Sequence, residues 1–262
     1  MLDCIHHMSF YFWKNILMLD RVQHRTILFL LLQGIVRSPW SSFLAFKGGT
    51  LLYFFHGLER FSVDLDFDVM QILKDVDGFV DGMTRLFSQH SEVVDYKDKK
   101  FTYFWLLRHQ SHLTKVKIEC NKRYCASTTY EWQSWYGQTV RCHDKASAFA
   151  HKLCALTTRK SEVSRDLFDI HFCLSRGWPV NDGVIEEVIG LTTSAYFQVV
   201  RNFIAEKFAS HSLLEWFGEL VDEKQKLWVK QYLKDETLGL LDVRLRVWQC
   251  TMRNLQYNTK SD

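Results

Sequence analysis

The chain is poor in the residues that interrupt regular structure. Two prolines and twelve glycines are few for 262 residues, and no Ser/Gly-rich or single-charge block marks a linker or a disordered tail. There is no internal repeat. The amino terminus lacks a basic region followed by a long apolar run and a small-residue cleavage site, so no secretory signal is read there. Ile27 to Val36 is apolar apart from Gln33 and Gly34, but it is far too short to cross a bilayer. Cysteine occurs seven times, an odd number at irregular spacing. That pattern fits reduced thiols in a cytosolic core better than a disulfide framework. Cys120 and Cys125 lie five apart and His109 and His112 three apart, yet no second ligand pair has the spacing of a structural zinc site. The expectation is a cytoplasmic globular protein with no membrane partner.

What the chain does have is apolar mass. A hydrophobic fraction of 47% and an aromatic fraction of 15% can bury one large domain or two modest ones. The net charge of +3 neither demands nor excludes nucleic acid. Location matters more. Lys97, Lys99, Lys100, Lys115, Lys117, Lys122 and Arg123 form a basic middle region interleaved with Phe101, Tyr103, Phe104, Trp105 and Tyr124. Such a region could follow a nucleic-acid backbone with aromatic stacking. Lysines alternating along strands are also the ordinary wet face of a sheet.

The stretch Lys47 to Asp68, KGGTLLYFFHGLERFSVDLDFD, organises the rest. Phe43 to Phe46 is an apolar run suited to a buried strand, and Gly48 and Gly49 then allow close backbone approach to a ligand. A helix is expected from Thr50. Its first amides and positive dipole end would face an anion, with the Thr50 hydroxyl offering a further hydrogen bond to a phosphate oxygen. The same Gly-Gly-Thr is also an ordinary strand-to-helix turn. In Val63-Asp64-Leu65-Asp66-Phe67-Asp68 the period-two alternation predicts a strand with its carboxylates on one face. Asp64 and Asp66 would repel unless a divalent cation such as Mg²⁺, or Mn²⁺, sat between them. The alternative is a solvated acidic edge.

Elsewhere, residues 8 to 37 read as one or two helices, with Phe12, Ile16, Leu17, Val22, Ile27, Leu28 and Leu31 in partial helical phase. Met70 to Gln89 reads as another. Strands are expected over Phe101 to Leu107 and His112 to Cys120. Asp144 is a candidate cap for a helix running to Arg159, with Lys145, Lys152 and Arg159 recurring every seven residues on one side. Beyond Pro179 the pattern is helical, with segments near 182–190, 193–208, 212–233 and 239–256. Trp216, Phe217, Leu220, Trp228 and Leu233 are candidate core, and Arg244, Arg246, Arg253 and Lys260 give a basic end.

The order Lys-Gly-Gly-Thr-Leu-Leu, then Glu-Arg-Phe-Ser, then Asp-Leu-Asp-Phe resembles the AbiEii/AbiGii toxin branch of the DNA polymerase beta-like nucleotidyltransferases. The resemblance continues in Lys152-Leu-Cys-Ala-Leu-Thr-Thr-Arg159 and Arg165-Asp166-Leu-Phe-Asp169-Ile, and spans roughly residues 43 to 175. It implies an α/β (α+β) fold: a small mixed-sheet core with flanking helices over residues 1–140 and a helical subdomain over 141–262. It implies NTP as substrate, with the phosphates held by Lys47, Gly48, Gly49 and Thr50, and by Lys152, Arg159 and Asp169. Asp64 and Asp66 would hold the metal. Glu119, in the hydrophobic-acid-hydrophobic setting of Ile118-Glu119-Cys120, would complete the metal shell or accept the proton of the attacking hydroxyl; it could equally be a surface glutamate among lysines. Asp166 would support catalysis, and the choice between Asp166 and Asp169 stays open, because Ile170 replaces the family Leu and the Lys152–Asp166 spacing differs from some relatives. A structural salt-bridge network is the other reading of these acids.

By that resemblance the chain is the toxin of a type IV toxin-antitoxin or phage-abortive system. It would transfer NMP to an acceptor hydroxyl, tRNA foremost, and be countered by a separately encoded antitoxin. Small-molecule transfer of the aminoglycoside kind, protein nucleotidylation, and non-catalytic nucleotide or RNA binding are the competing readings.

Overall fold

The computed structural model describes residues 20–109, 115–159, 164–208 and 213–258. Phe12, Ile16, Leu17, the strand start at His112, and Lys260 lie outside them. The chain divides into two compact units. The first comprises the residues up to Thr50, Phe61–Arg123 and Ser134–Val140; the second comprises Leu51–Arg60, Tyr124–Gln133 and the residues from Arg141 onward.

In the first unit, helix α1 (Arg21–Arg37) is capped by Asp20, whose carboxylate accepts from the Gln23 N–H at 3.0 Å. It buries Ile27, Leu28, Leu31, Leu32 and Ile35, a helical stripe. Strand β1 (Leu44–Lys47) leads into the first residues of helix α2 (Gly48–His56), whose part from Leu51 onward is counted with the second unit, and strand β2 (Leu65–Val69) belongs to the first unit again. Helix α3 covers only Val76–Phe87, not the expected Met70 to Gln89, because Asp75 caps it by accepting from the Gly78 N–H at 2.8 Å. Strands β3 (Glu92–Lys99), β4 (Thr102–Arg108) and β5 (Lys115–Asn121) complete this part; β3 is absent from the sequence reading. With β6 (Tyr130–Trp135) and β7 (Gln138–His143) the sheet has the order β3-β4-β5-β2-β1-β7-β6. It is mixed: β2 runs parallel to β5 and antiparallel to β1. One face is the core. Trp105 meets Phe79 and Phe87 of α3 with ring centroids 6.0 and 5.5 Å apart, and Leu65, Phe67, Ile118 and Cys120 are buried on the same alternation.

The second unit is built mainly from helices. Asp144 caps α4 (Lys145–Thr158) through the Ser147 N–H at 2.7 Å, as its position in the sequence suggests. There follow α5 (Ser164–Ser175), α6 (Asp182–Ile189), α7 (Thr193–Lys207), α8 (Glu223–Trp228) and α9 (Lys234–Asn258). The single helix expected over 212–233 is instead a 3-10 turn at Leu213–Trp216, the short α8, and a π turn at Val229–Leu233. A capping box between Asp222 and Gln225 starts α8 afresh and so divides the segment. Among the described residues, no helix is long and apolar enough to cross a membrane, and the six cysteines there are free thiols.

Candidate active site

In the first unit, strand pairing sets the candidate residues in one row. Lys97 pairs with Phe104, Phe104 with Glu119, Glu119 with Asp66, and Asp66 with Lys47. Directly paired residues share a face. The row therefore crosses β3, β4, β5, β2 and β1 on the face opposite the apolar core. Glu119, which the sequence left between two readings, stands beside Asp66 at the distance of adjacent strands, about 4.8 Å.

Gly48 closes against this row. Its φ is +82°, and a Cβ built on it would overlap the Asp66 carboxylate, 3.0 Å from both Cβ and Cγ of that side chain. Only a residue without a side chain permits the approach. The helix assignment begins at Gly48, two residues before the expected Thr50. Thr50 is fully buried, and its hydroxyl donates to the Asp64 carbonyl and lies 2.8 Å from the Ser62 hydroxyl. The structure thus directs this hydroxyl to the backbone of the acid strand, where the sequence reading aimed it at a phosphate.

Asp64 precedes β2 and accepts from the Lys117 N–H at 3.2 Å, with the Lys117 ammonium 3.9 Å from its other oxygen. Asp68, not singled out from the sequence, ion-pairs with Lys47 and accepts from Asn121 Nδ2 at 3.1 Å. The strand's third acid is thereby neutralised by β1 and β5. Among the described residues, no three His, Cys, Asp or Glu converge tightly enough to form a protein-only metal cage. Mg²⁺ does not require one: it commonly takes one or two carboxylates and completes its octahedron with water and substrate phosphates. Oxygen donors of Asp64, Asp66 and Glu119, beside a backbone that leaves room at Gly48, suit such an ion.

In the second unit, Arg60 forms a forked ion pair with Asp169, Nε and Nη2 each 2.7 Å from one carboxylate oxygen. Lys152 lies 2.7 Å from Asp169 and 3.3 Å from Asp166. Arg159 places Nη1 2.6 Å from Asp166 Oδ2, although that buried oxygen accepts no well-directed hydrogen bond; proximity without alignment makes this the weakest link of the network. Burial alone would push the Asp169 carboxyl up, yet Arg60 and Lys152 hold it below the usual carboxylate range. Burial alone would lower Lys152, but Asp169 and Asp166 hold its ammonium above the usual lysine range. Lys152 is therefore inward and charged, not part of the solvated helix face that its seven-residue spacing suggests. Arg60 was visible only as part of the quoted Glu-Arg-Phe-Ser motif, because its partner lies 109 residues away.

Comparisons with known proteins agree on the fold. Among curated proteins, none matches the chain. The structure resembles JHP933 from Helicobacter pylori, with a TM-score of 0.58 and 19% identity over 92% of this chain and 99% of that one. A candidate nucleotidyltransferase from the same organism aligns with a TM-score of 0.58 and 18% identity, over 90% of this chain and 99% of the other. Residues 30–240 match the family described as the nucleotidyl transferase AbiEii toxin of type IV toxin-antitoxin systems. The chain therefore belongs to the AbiEii toxin family of nucleotidyltransferases.

Proposed function

We propose that this chain transfers a nucleoside monophosphate from an NTP to an acceptor hydroxyl, with tRNA as the favoured acceptor. Asp64, Asp66 and Glu119 would hold Mg²⁺ or Mn²⁺, which when bound supplies positive charge to the nucleotide phosphates. Gly48, Gly49 and the Thr50 amide, at the positive end of α2, would receive phosphate oxygens. Lys47 adds positive charge at the same edge. The Thr50 hydroxyl positions the Asp64 backbone. Glu119 completes the carboxylate set or takes the proton as the acceptor oxygen attacks the α-phosphate and pyrophosphate leaves.

Lys152 and Arg159 are assigned to the triphosphate by the family resemblance, with Asp166 and Asp169 fixing their positions. On this reading residues 1–140 are the catalytic core and 141–262 the supporting helical part. The protein works in the cytoplasm, in phage defence, opposed by a separately encoded antitoxin. The observation that carries the reading is the Gly48 backbone set against Asp66, in register with Glu119.

The test is incubation of the purified chain with Mg²⁺, each α-³²P-labelled NTP and total RNA, beside an Asp64→Ala/Asp66→Ala control. Label in tRNA-sized RNA only with the acids intact is the expected result. Label in protein or in a small acceptor would redirect the acceptor assignment. Silence with every acceptor, together with growth arrest unchanged by Asp64→Ala, would leave a binding protein instead.

A further inference from the structure

The acid row does not end at Glu119. Its continuation is Phe104 and then Lys97, on the same face and still within the first unit. Phe104 and Leu106 are half-buried, while Tyr103, Trp105 and Leu107 take the core side of β4. Around the Phe104 ring stand amines. Lys99 lies over it at 3.9 Å. Lys97 is paired across the strands with Phe104, and its ammonium, 2.8 Å from Asp95, belongs to a side chain that is 59% exposed. Lys115 and Lys117 are exposed on the neighbouring strand. At the far end Arg108 is spent on Glu92.

We propose that this face of the sheet binds the single-stranded end of a polynucleotide acceptor, a base stacking on Phe104 in the place the Lys99 ammonium holds over the ring, and phosphates resting on the displaced Lys99, on Lys97 and on Lys115. The proposal rests on the nucleotidyl-transfer reading and names the substrate surface for it. Aromatic rings flanked by amines are the two elements that grip a single strand without reading its sequence. Spacing agrees as well. Two strand intervals, about 10 Å, separate Asp66 from Phe104, close to the rise of three stacked nucleotides. A strand lying along the row would bring its terminal hydroxyl towards the carboxylates. A protein acceptor is the poorer occupant, because Phe104 and Leu106 are too little apolar surface for the core of a protein interface.

The test is fluorescence anisotropy with a 5′-labelled, unstructured RNA 12-mer at several salt concentrations, with binding of a fluorescent NTP analogue in Mg²⁺ measured in parallel. The variants are Lys97→Glu/Lys115→Glu, Phe104→Ala and Phe104→Leu, the last keeping the apolar contact while removing the aromatic face. The expected loss is about tenfold in RNA affinity for each Phe104 variant, the scale of one stacked base. The double lysine variant is expected to bind RNA at least about tenfold more weakly, with a log–log salt slope shallower by about one to two. NTP affinity stays at the wild-type value throughout. RNA affinity unchanged in all variants overturns the proposal. So does a wild-type chain that binds the NTP analogue but no RNA, which points to a protein or small acceptor. Wild-type RNA affinity in Phe104→Leu alone removes stacking from the account. RNA binding that follows the variants as expected in a chain that binds no NTP would support this surface while overturning nucleotidyl transfer.

Discussion

Gly48 and Asp66 occupy space that only one side chain can fill. The left-handed backbone at Gly48 brings the start of α2 so close to the Asp66 carboxylate that a methyl group there would overlap it. The turn and the acid strand, eighteen residues apart in the chain, are thus parts of one construction.

Gly48→Ala is expected to cost about 1–3 kcal/mol, from the positive φ and from displacement of Asp66. Nucleotidyl transfer should fall by more than tenfold, since the displaced groups are those proposed to meet the phosphates. A urea titration alongside the labelled-NTP assay measures both. Wild-type activity in this variant would remove the turn from the site.

Asp66 and Asp68 should separate function from stability. Asp66→Asn is expected to abolish labelled transfer at a stability cost of about 1 kcal/mol, the centre of the range for single substitutions. Asp68→Ala takes the carboxylate from Lys47 and leaves the Asn121 amide with the Arg123 carbonyl, and should cost about 1–3 kcal/mol. Thermal melts with matched activity assays check the pair.

Loss of Asp169 is expected to be more damaging than loss of Arg60. Asp169→Ala removes the carboxylate that two buried cations, Arg60 and Lys152, share and leaves Lys152 with Asp166 at 3.3 Å, whereas Arg60→Ala leaves Lys152 still paired with Asp169. Breaking a buried pair typically costs about 3–5 kcal/mol. Since Asp169 is held below its ordinary value, its contribution is present above about pH 4 and is lost as pH falls through the depressed value. Lys152 is held above its ordinary value, so its contribution is present below about pH 10 and is lost as pH rises through the raised value. Acid denaturation midpoints of wild type and Asp169→Asn test the first limb.

His56, in the second unit, offers a separate pH signal. Burial, reinforced by Lys145, lowers it to about 4, with its ring edge-on to Trp178 at 4.9 Å. The unfolded chain takes up this proton near pH 6.5 and the folded chain does not, so stability declines as pH falls from about 6.5 towards 4. His56→Gln should flatten that slope. Equilibrium unfolding at pH 7, 6 and 5 gives the comparison, and an unchanged slope would contradict the assignment.

Local pattern carried a good part of this molecule. The alternation from Leu65 to Asp68 put Asp66 and Asp68 on one face of β2, with Asp64 just ahead of the strand; Asp144 announced the start of α4, and the motifs from Lys47 to Asp169 pointed to the family. Local pattern failed where competing local chemistry intervened. Asp75 shortened the helix expected from Met70, and the Asp222–Gln225 capping box broke the one expected over 212–233. Strands β3, β6 and β7 were missed.

What the sequence determined by itself was periodicity: which residues alternate, which recur at helical spacing, and which small residues allow a backbone to approach. Tertiary structure alone decided the partners. Pairing of β2 with β5 made Glu119 a neighbour of Asp66, burial turned Lys152 inward onto two carboxylates, and Thr50 was given to the Asp64 carbonyl. The reason is physical. Periodicity is a property of a few consecutive residues, whereas strand register and buried ion pairs depend on charges and surfaces brought together from distant parts of the chain.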